Sequence, residues 1–241
     1  VDRRPRSATL CPRTTVFRSA RGDATVIIDV IRASTTYATA LAGGTARIVP
    51  CSSRAHLEEL RSRYPDALRS GERECHRIDG YDLGSSPTEM AAANLRGQTL
   101  LSSTTNGSRM VVAAAGAPAV LMAGFCNGAA VARFLQNWAS VVSAASSPSG
   151  SGNVALVCSG RLGEPVIEDW LGASWLAHLL DSGDNDFELS RAEIRKHCRA
   201  SPSHDALVAA GLECDFEHCM AFDTIDVVPL LDGDGFVAAK D

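Results

Sequence analysis

The chain lacks the short signatures that most often assign a function. It has no Gly-x-x-x-x-Gly-Lys-Ser/Thr, which excludes a Walker-type nucleotide site. It has no Gly-x-Gly-x-x-Gly, because Gly150 and Gly152 are not followed by a third glycine in place. No cysteine has an arginine six positions on, so a cysteine-phosphatase loop is absent. The Asp-x-Asp pattern of aspartate-nucleophile hydrolases fails after the first apolar strand, where Ile31 stands in the second acid's place. No Cys-x-x-Cys pair exists. His197, Cys198, His204, Cys214, Asp215, Glu217, His218 and Cys219 are metal-ligand types, but neighbours on a helix point apart, so structural zinc is not expected.

Long runs of one kind are also missing. No apolar stretch reaches the roughly 18 residues of a membrane span, and the run from Val111 to Met122 is broken by Gly116 and Pro118. The basic Arg3-Arg4-Pro5-Arg6 is not followed by the apolar core of a signal peptide, so a cytoplasmic location is expected. The net charge is -5 and no block of Lys or Arg occurs, so neither nucleic acid nor membrane is an expected partner. A local cluster of cations would still suffice for a small anion. The eight cysteines lie mostly in apolar stretches and read as buried thiols rather than disulfides.

What is present is a core. The 241 residues are 45% hydrophobic and 21% charged, which suits one large domain over residues 1–241. The only candidate for a subdivision is the Ser/Gly/Pro-rich stretch at 146–152, which reads as a surface loop. Residues 24–30 (Ala-Thr-Val-Ile-Ile-Asp-Val) form a fully buried strand pattern ending in an acid. Further strands are expected at 46–49, 99–102, 119–123 and 154–158, and a closing hairpin at 226–238. Helices are expected at 34–41, 53–64, 86–94, 106–115, 129–139, 164–180, 190–199 and 203–210. Ser53 and Ser86 stand as N-caps, Pro87 suits the first helical position, and Glu89 would complete a capping box. Buried strands alternating with helices predict an α/β fold, layered α/β/α, with a largely parallel or mixed sheet. Sites in such folds gather at the carboxyl ends of strands.

Four polar clusters occupy such places. Asp29-Val30-Ile31-Arg32-Ala33-Ser34-Thr35-Thr36 offers a carboxylate for a hard cation and an arginine for an anion. Gly71-Glu72 and Gly80-Tyr81-Asp82 add two acids in glycine-rich turns. Ser102-Ser103-Thr104-Thr105-Asn106-Gly107-Ser108-Arg109 joins a strand to a helix start and suits a phosphate or sulfonate. Ser159-Gly160-Arg161 follows another strand, with Glu168-Asp169 opening the next helix. Each cluster alone also fits an ordinary turn or cap. Clustered carboxylates would repel an anion unless a metal lay between them, which favours an enzyme over a non-catalytic binder of small anions.

Taken in order, these motifs resemble the 2-phosphosulfolactate phosphatase family of coenzyme M biosynthesis. The segments are Asp29–Thr36, Gly80–Glu89, Thr104–Arg109, Phe125–Ala132 and Glu168-Asp169. The resemblance implies Mg²⁺-dependent hydrolysis of 2-phosphosulfolactate, or of another phosphorylated hydroxy acid, on an α/β fold. It implies Asp29, Arg32, Glu72 and Glu168 as catalytic residues, and Asp29, Asp82 and Asp169 as metal ligands. Thr104, Thr105, Asn106, Gly107, Ser108, Arg109 and Arg161 would bind substrate. Two departures stand out: Ser85 where the family carries Asn, and Arg73-Glu74-Cys75-His76 where a glycine is expected. A homodimer is the base-rate expectation for such an enzyme.

Overall fold

The computed structural model describes residues 8–11, 24–104, 114, 117–145, 154–180 and 189–240. Strand β1 is Ala8–Cys11, β2 Ala24–Ile28, β3 Arg47–Pro50, β4 Leu68–Arg73, β5 His76–Arg77, β6 Thr99–Ser103, β7 Val120–Ala123, β8 Val154–Cys158, β9 Pro229–Asp232 and β10 Gly235–Ala238. Helix α1 is Ala33–Ala42, α2 Arg54–Arg63, α3 Pro87–Ala92, α4 Gly128–Ala145, α5 Ile167–Leu180, α6 Arg191–Arg199, α7 Pro202–Ala209 and α8 Glu213–Cys219. The expected helix at 106–115 and the loop at 146–152 lie largely outside the described residues.

The strands hydrogen-bond in the order β1-β8-β2-β7-β9-β10-β3-β6-β4-β5. The first four form one parallel block, and β3-β6-β4 form another. The β9–β10 hairpin lies between the blocks, antiparallel to β7 on one side and to β3 on the other. Three antiparallel steps therefore separate the blocks, and they run in opposite senses. A mixed α/β sheet is what the alternating pattern predicted.

Side-chain alternation explains why both faces are covered. In β2, Val26 and Ile28 join one buried cluster, with Phe125, Val131, Leu171 and Leu176 from the segments over that face. Ile27 points the other way, into a cluster with Tyr37, Ala40 and Leu41 of α1. The same second cluster holds Ile48 and Leu100 from the far block and Phe236 from the hairpin. Helix α1 thus shares one buried cluster with strands of both blocks and with the hairpin.

Burial of α1 from Ala33 to Leu41 explains its composition. Ser34, Thr35, Thr36 and Thr39 are all buried, and each hydroxyl donates to a carbonyl: Ile27 O, Val30 O, Ser85 O and Thr35 O, at 3.3, 3.0, 3.2 and 2.8 Å. A buried hydroxyl without such a partner would be unfavourable. The hydroxyls of Ser34, Thr35 and Thr36 thus serve the packing of this helix.

Caps fall where the sequence placed them at α2 and α3. Ser53 accepts from His56 N–H and Ser86 from Glu89 N–H. The capping box at Ser86 is only half formed, because the Glu89 carboxylate accepts from Gly84 N–H at 2.7 Å instead. Helix α5 begins at Ile167, later than expected, since Arg161 and Glu164 pair their backbones in a tight turn before it.

Candidate functional site

Strand ends from both blocks meet at one cavity of about 340 Å³. Asp29 follows β2, Thr104 follows β6, Glu72 lies near the end of β4 with Cys75 in the turn after it, and Gly160 and Arg161 follow β8; all line it. In a flat sheet, blocks of opposite sense would present these ends at opposite edges. Here they line one cavity.

Two missing side chains allow the close approaches. A Cβ on Gly71 would lie 2.5 Å from Ser103 O, so only glycine lets β4 close on the end of β6. A Cβ on Gly172 would lie 2.7 Å from Val30 Cγ2, so only glycine lets α5 press on the chain that follows β2. That contact carries Glu168 and Asp169 to the back of the cavity.

The acids are held differently. Asp29 Oδ1 accepts from Ala33 N–H at 3.1 Å, at the start of α1. Burial raises its pKa; the Ser159 hydroxyl and the Ala33 amide oppose the rise, and Glu72 and Glu168 add repulsion. Asp169 is held by backbone on both oxygens, from Val30 N–H and Gly160 N–H, each at 2.9 Å. It ties the end of β2 to the end of β8. Burial, with the charges of Asp29 and Glu168, raises it well above the usual carboxylate range. Glu168 is 0% exposed, and neither carboxylate oxygen has a hydrogen-bond partner among the described residues. Burial raises Glu168 too, against the pull of Ser203, Ser201 and the Arg161 charge. Ser201 and Ser203 thus lie near Glu168 without bonding geometry to it. Glu72 Oε2 accepts from Cys75 N–H at 3.0 Å.

Arginines face these acids, among them Arg32, Arg73 and Arg161. Arg161 lines the cavity directly. Arg32 also lines it, but one end of its guanidinium donates to Asp215 Oδ2 at 2.6 Å and another donor reaches Cys75 O at 3.3 Å. The cavity wall is also conformationally unusual. Glu74, Cys75 and Leu162 have φ of 52°, 69° and 52°, in the left-handed region that side chains rarely adopt.

A family model described as 2-phosphosulpholactate phosphatase matches residues 11–234. The chain belongs to that family. The probable 2-phosphosulfolactate phosphatase of Carboxydothermus hydrogenoformans is 32% identical to it over 223 residues, covering 88% of each chain. That of Thermotoga petrophila is 32% identical over 219 residues, covering 86% of this chain and 88% of its own. That of Thermosynechococcus vestitus is 32% identical over 226 residues, with the same coverages of 86% and 88%. The family is one of phosphoric monoester hydrolases, as the ordered motifs implied.

Of the residues those motifs singled out, the structure gathers Asp29, Arg32, Glu72, Thr104 and Arg161 around the cavity, with Glu168 and Asp169 buried behind it. It does not bring Asp82 into the group. That carboxylate turns outward and accepts from Arg69 N–H at 2.8 Å, with the Arg69 guanidinium beside it. Thr105, Asn106, Gly107, Ser108 and Arg109 lie outside the described residues. Among the described residues, no three His, Cys, Asp or Glu side chains already converge as a preformed metal cage. Mg²⁺ needs no such cage, because it keeps several waters and takes one or two carboxylates. Mutually repelling acids and the unpartnered oxygens of Glu168 suit a cation here.

The expected glycine near Arg73–His76 has a structural reason in this chain: Glu74 and Cys75 occupy left-handed conformations there. Asp215 was missed as a site residue. From sequence it belonged to a mixed His/Cys/acid stretch, and nothing local marks it as the partner of Arg32.

Proposed function

We propose that the chain hydrolyses 2-phosphosulfolactate to sulfolactate and inorganic phosphate, with Mg²⁺ as cofactor. The observation that carries this reading is the alternation of acids and arginines around one cavity, built from strand ends of both blocks, in a chain of this family. Hydrolysis breaks the bond between phosphorus and the ester oxygen of the hydroxy acid, and an oxygen from water takes its place on phosphorus.

Asp29 and Glu72, the two acids of the original set that face the cavity, would hold the ion, with Glu168 behind them. Bound there, Mg²⁺ would neutralise phosphate charge and lower the pKa of the attacking water. Arg32 would donate to the equatorial oxygens of the transferred group, where charge spreads in the transition state. Arg161 supplies the charge for the substrate's remaining anionic groups. The Thr104 hydroxyl, buried and without a partner among the described residues, is a further donor on the same wall.

The test is phosphate release from 2-phosphosulfolactate and a panel of small phosphoesters, before and after EDTA. Release from 2-phosphosulfolactate should vanish in EDTA and return with Mg²⁺. Full turnover in metal-free buffer would end the magnesium reading. Turnover of another phosphorylated hydroxy acid, with none of 2-phosphosulfolactate, would end the substrate reading.

A further inference from the structure

Asp215 does not line the cavity, yet it grips a guanidinium that does. It lies on α8 and is 0% exposed. Its Oδ2 accepts from Arg32 Nη1 at 2.6 Å, across 183 positions of sequence. Its Oδ1 accepts from the Ser86 hydroxyl at 2.6 Å and from Thr88 N–H at 3.3 Å. Both of those donors belong to the start of α3, so two elements lock the carboxylate that locks the arginine.

We propose that Asp215 is a positioning residue for catalysis, fixing the plane from which the remaining Arg32 donors reach the transferred phosphoryl group. A guanidinium is a flat fork with five N–H donors in fixed directions. Commit one to Asp215 and one to Cys75 O, and the direction of the others is set. A buried ion pair contributes little net stability over apolar packing, so stability alone accounts poorly for this one. It does contribute direction, and misplacement of a catalytic group by about 1 Å can cost about a hundredfold in rate. The pair is also neutral overall. Arg32 therefore acts by aimed hydrogen bonds, while Arg161 and Arg73 line the cavity as further cations. The inference rests on the functional reading above only for the group that Arg32 meets.

The test is a double-mutant cycle of Asp215→Asn and Arg32→Gln, run on whichever small phosphoester the wild type hydrolyses. Loss of the substrate reading therefore leaves the cycle readable. Asp215→Asn keeps the shape and should lower kcat at least about tenfold while KM changes less. In the Arg32→Gln background the same substitution should change kcat less than about twofold, because its target is gone. Folded Asp215→Asn with wild-type kcat would overturn the proposal, and so would losses that multiply independently. Should Asp215→Asn fail to fold, Ser86→Ala serves. It removes the shorter of the two hydrogen bonds to Asp215 Oδ1, leaving only Thr88 N–H at 3.3 Å, and also removes the α3 cap; the cap loss is read separately as a fall in Tm. Its kcat should drop about threefold when assayed well below Tm; an unchanged kcat would overturn the proposal.

Discussion

Ionising Asp29 is unfavourable without a cation beside it, because burial and two neighbouring acids raise its pKa. An acid whose pKa is raised on folding stabilises the protein below its unfolded value, near 4, and that stability is lost as pH rises through the folded value. Asp29→Asn keeps an oxygen for Ala33 N–H and removes the charge. In metal-free buffer its Tm should therefore equal or exceed wild type near neutral pH, with the advantage shrinking toward pH 4. Its kcat should fall at least about a hundredfold, the scale of a lost preorganised contact. Thermal melts across pH together with steady-state rates check both; near-normal kcat would make Asp29 structural. Asp29 was legible because an acid ending an all-apolar strand is conspicuous. Asp215 was not, because its partners stand 183 and 129 positions away and no local pattern reports a contact of that range. The structural role of the hydroxyls after Arg32 was hidden for a related reason. Sequence gives a serine or threonine its chemistry but not the carbonyl that consumes it.

Helix α5 shows how an element is placed to a fraction of an ångström. Ala in place of Gly172 would gain about 1 kcal/mol of helix propensity. Its methyl would also sit 2.7 Å from Val30 Cγ2 and 3.2 Å from Ile28 Cγ2, and such overpacking costs about 1–3 kcal/mol. The clash should win. Gly172→Ala is expected to lower stability modestly and kcat more, since α5 carries Glu168 and Asp169; urea melts and rates measure the two, and unchanged kcat would show that α5 can shift without harm. Elements with a strong apolar pattern or a cap were readable, including β2, β8 and the starts of α2 and α3. Strand β4 was not. Its sequence, Leu-Arg-Ser-Gly-Glu-Arg, has one large apolar side chain and reads as a turn; its ladder with β6 makes it a strand. Helix α8 was obscured by its mixture of acids, His and Cys.

The hairpin of β9 and β10 joins two parallel blocks that would otherwise share no ladder in the described sheet. Phe236 is fully buried there, edge-on to Tyr37 at 5.6 Å and paired in register with Ile48. Phe236→Ala should cost about 3–5 kcal/mol. Because the blocks share α1 and this hairpin, they should still unfold together. Tryptophan fluorescence follows the first block, since Trp138, Trp170 and Trp175 all lie on α4 and α5, while circular dichroism follows the whole. Coincident midpoints are expected, and separated ones would show two independent units. The α/β layering was readable from the alternation of strands and helices; the hairpin's place at the centre of the sheet was not, because strand order depends on contacts that no local pattern encodes. The same placement bears on synthesis. A ribosome releases residues 24–158, and with them both blocks, long before residues 229–238 appear. Until then β7 and β3 each present an unpaired edge, an open template for pairing with another nascent chain. The interval between those two moments is when this protein most needs a chaperone.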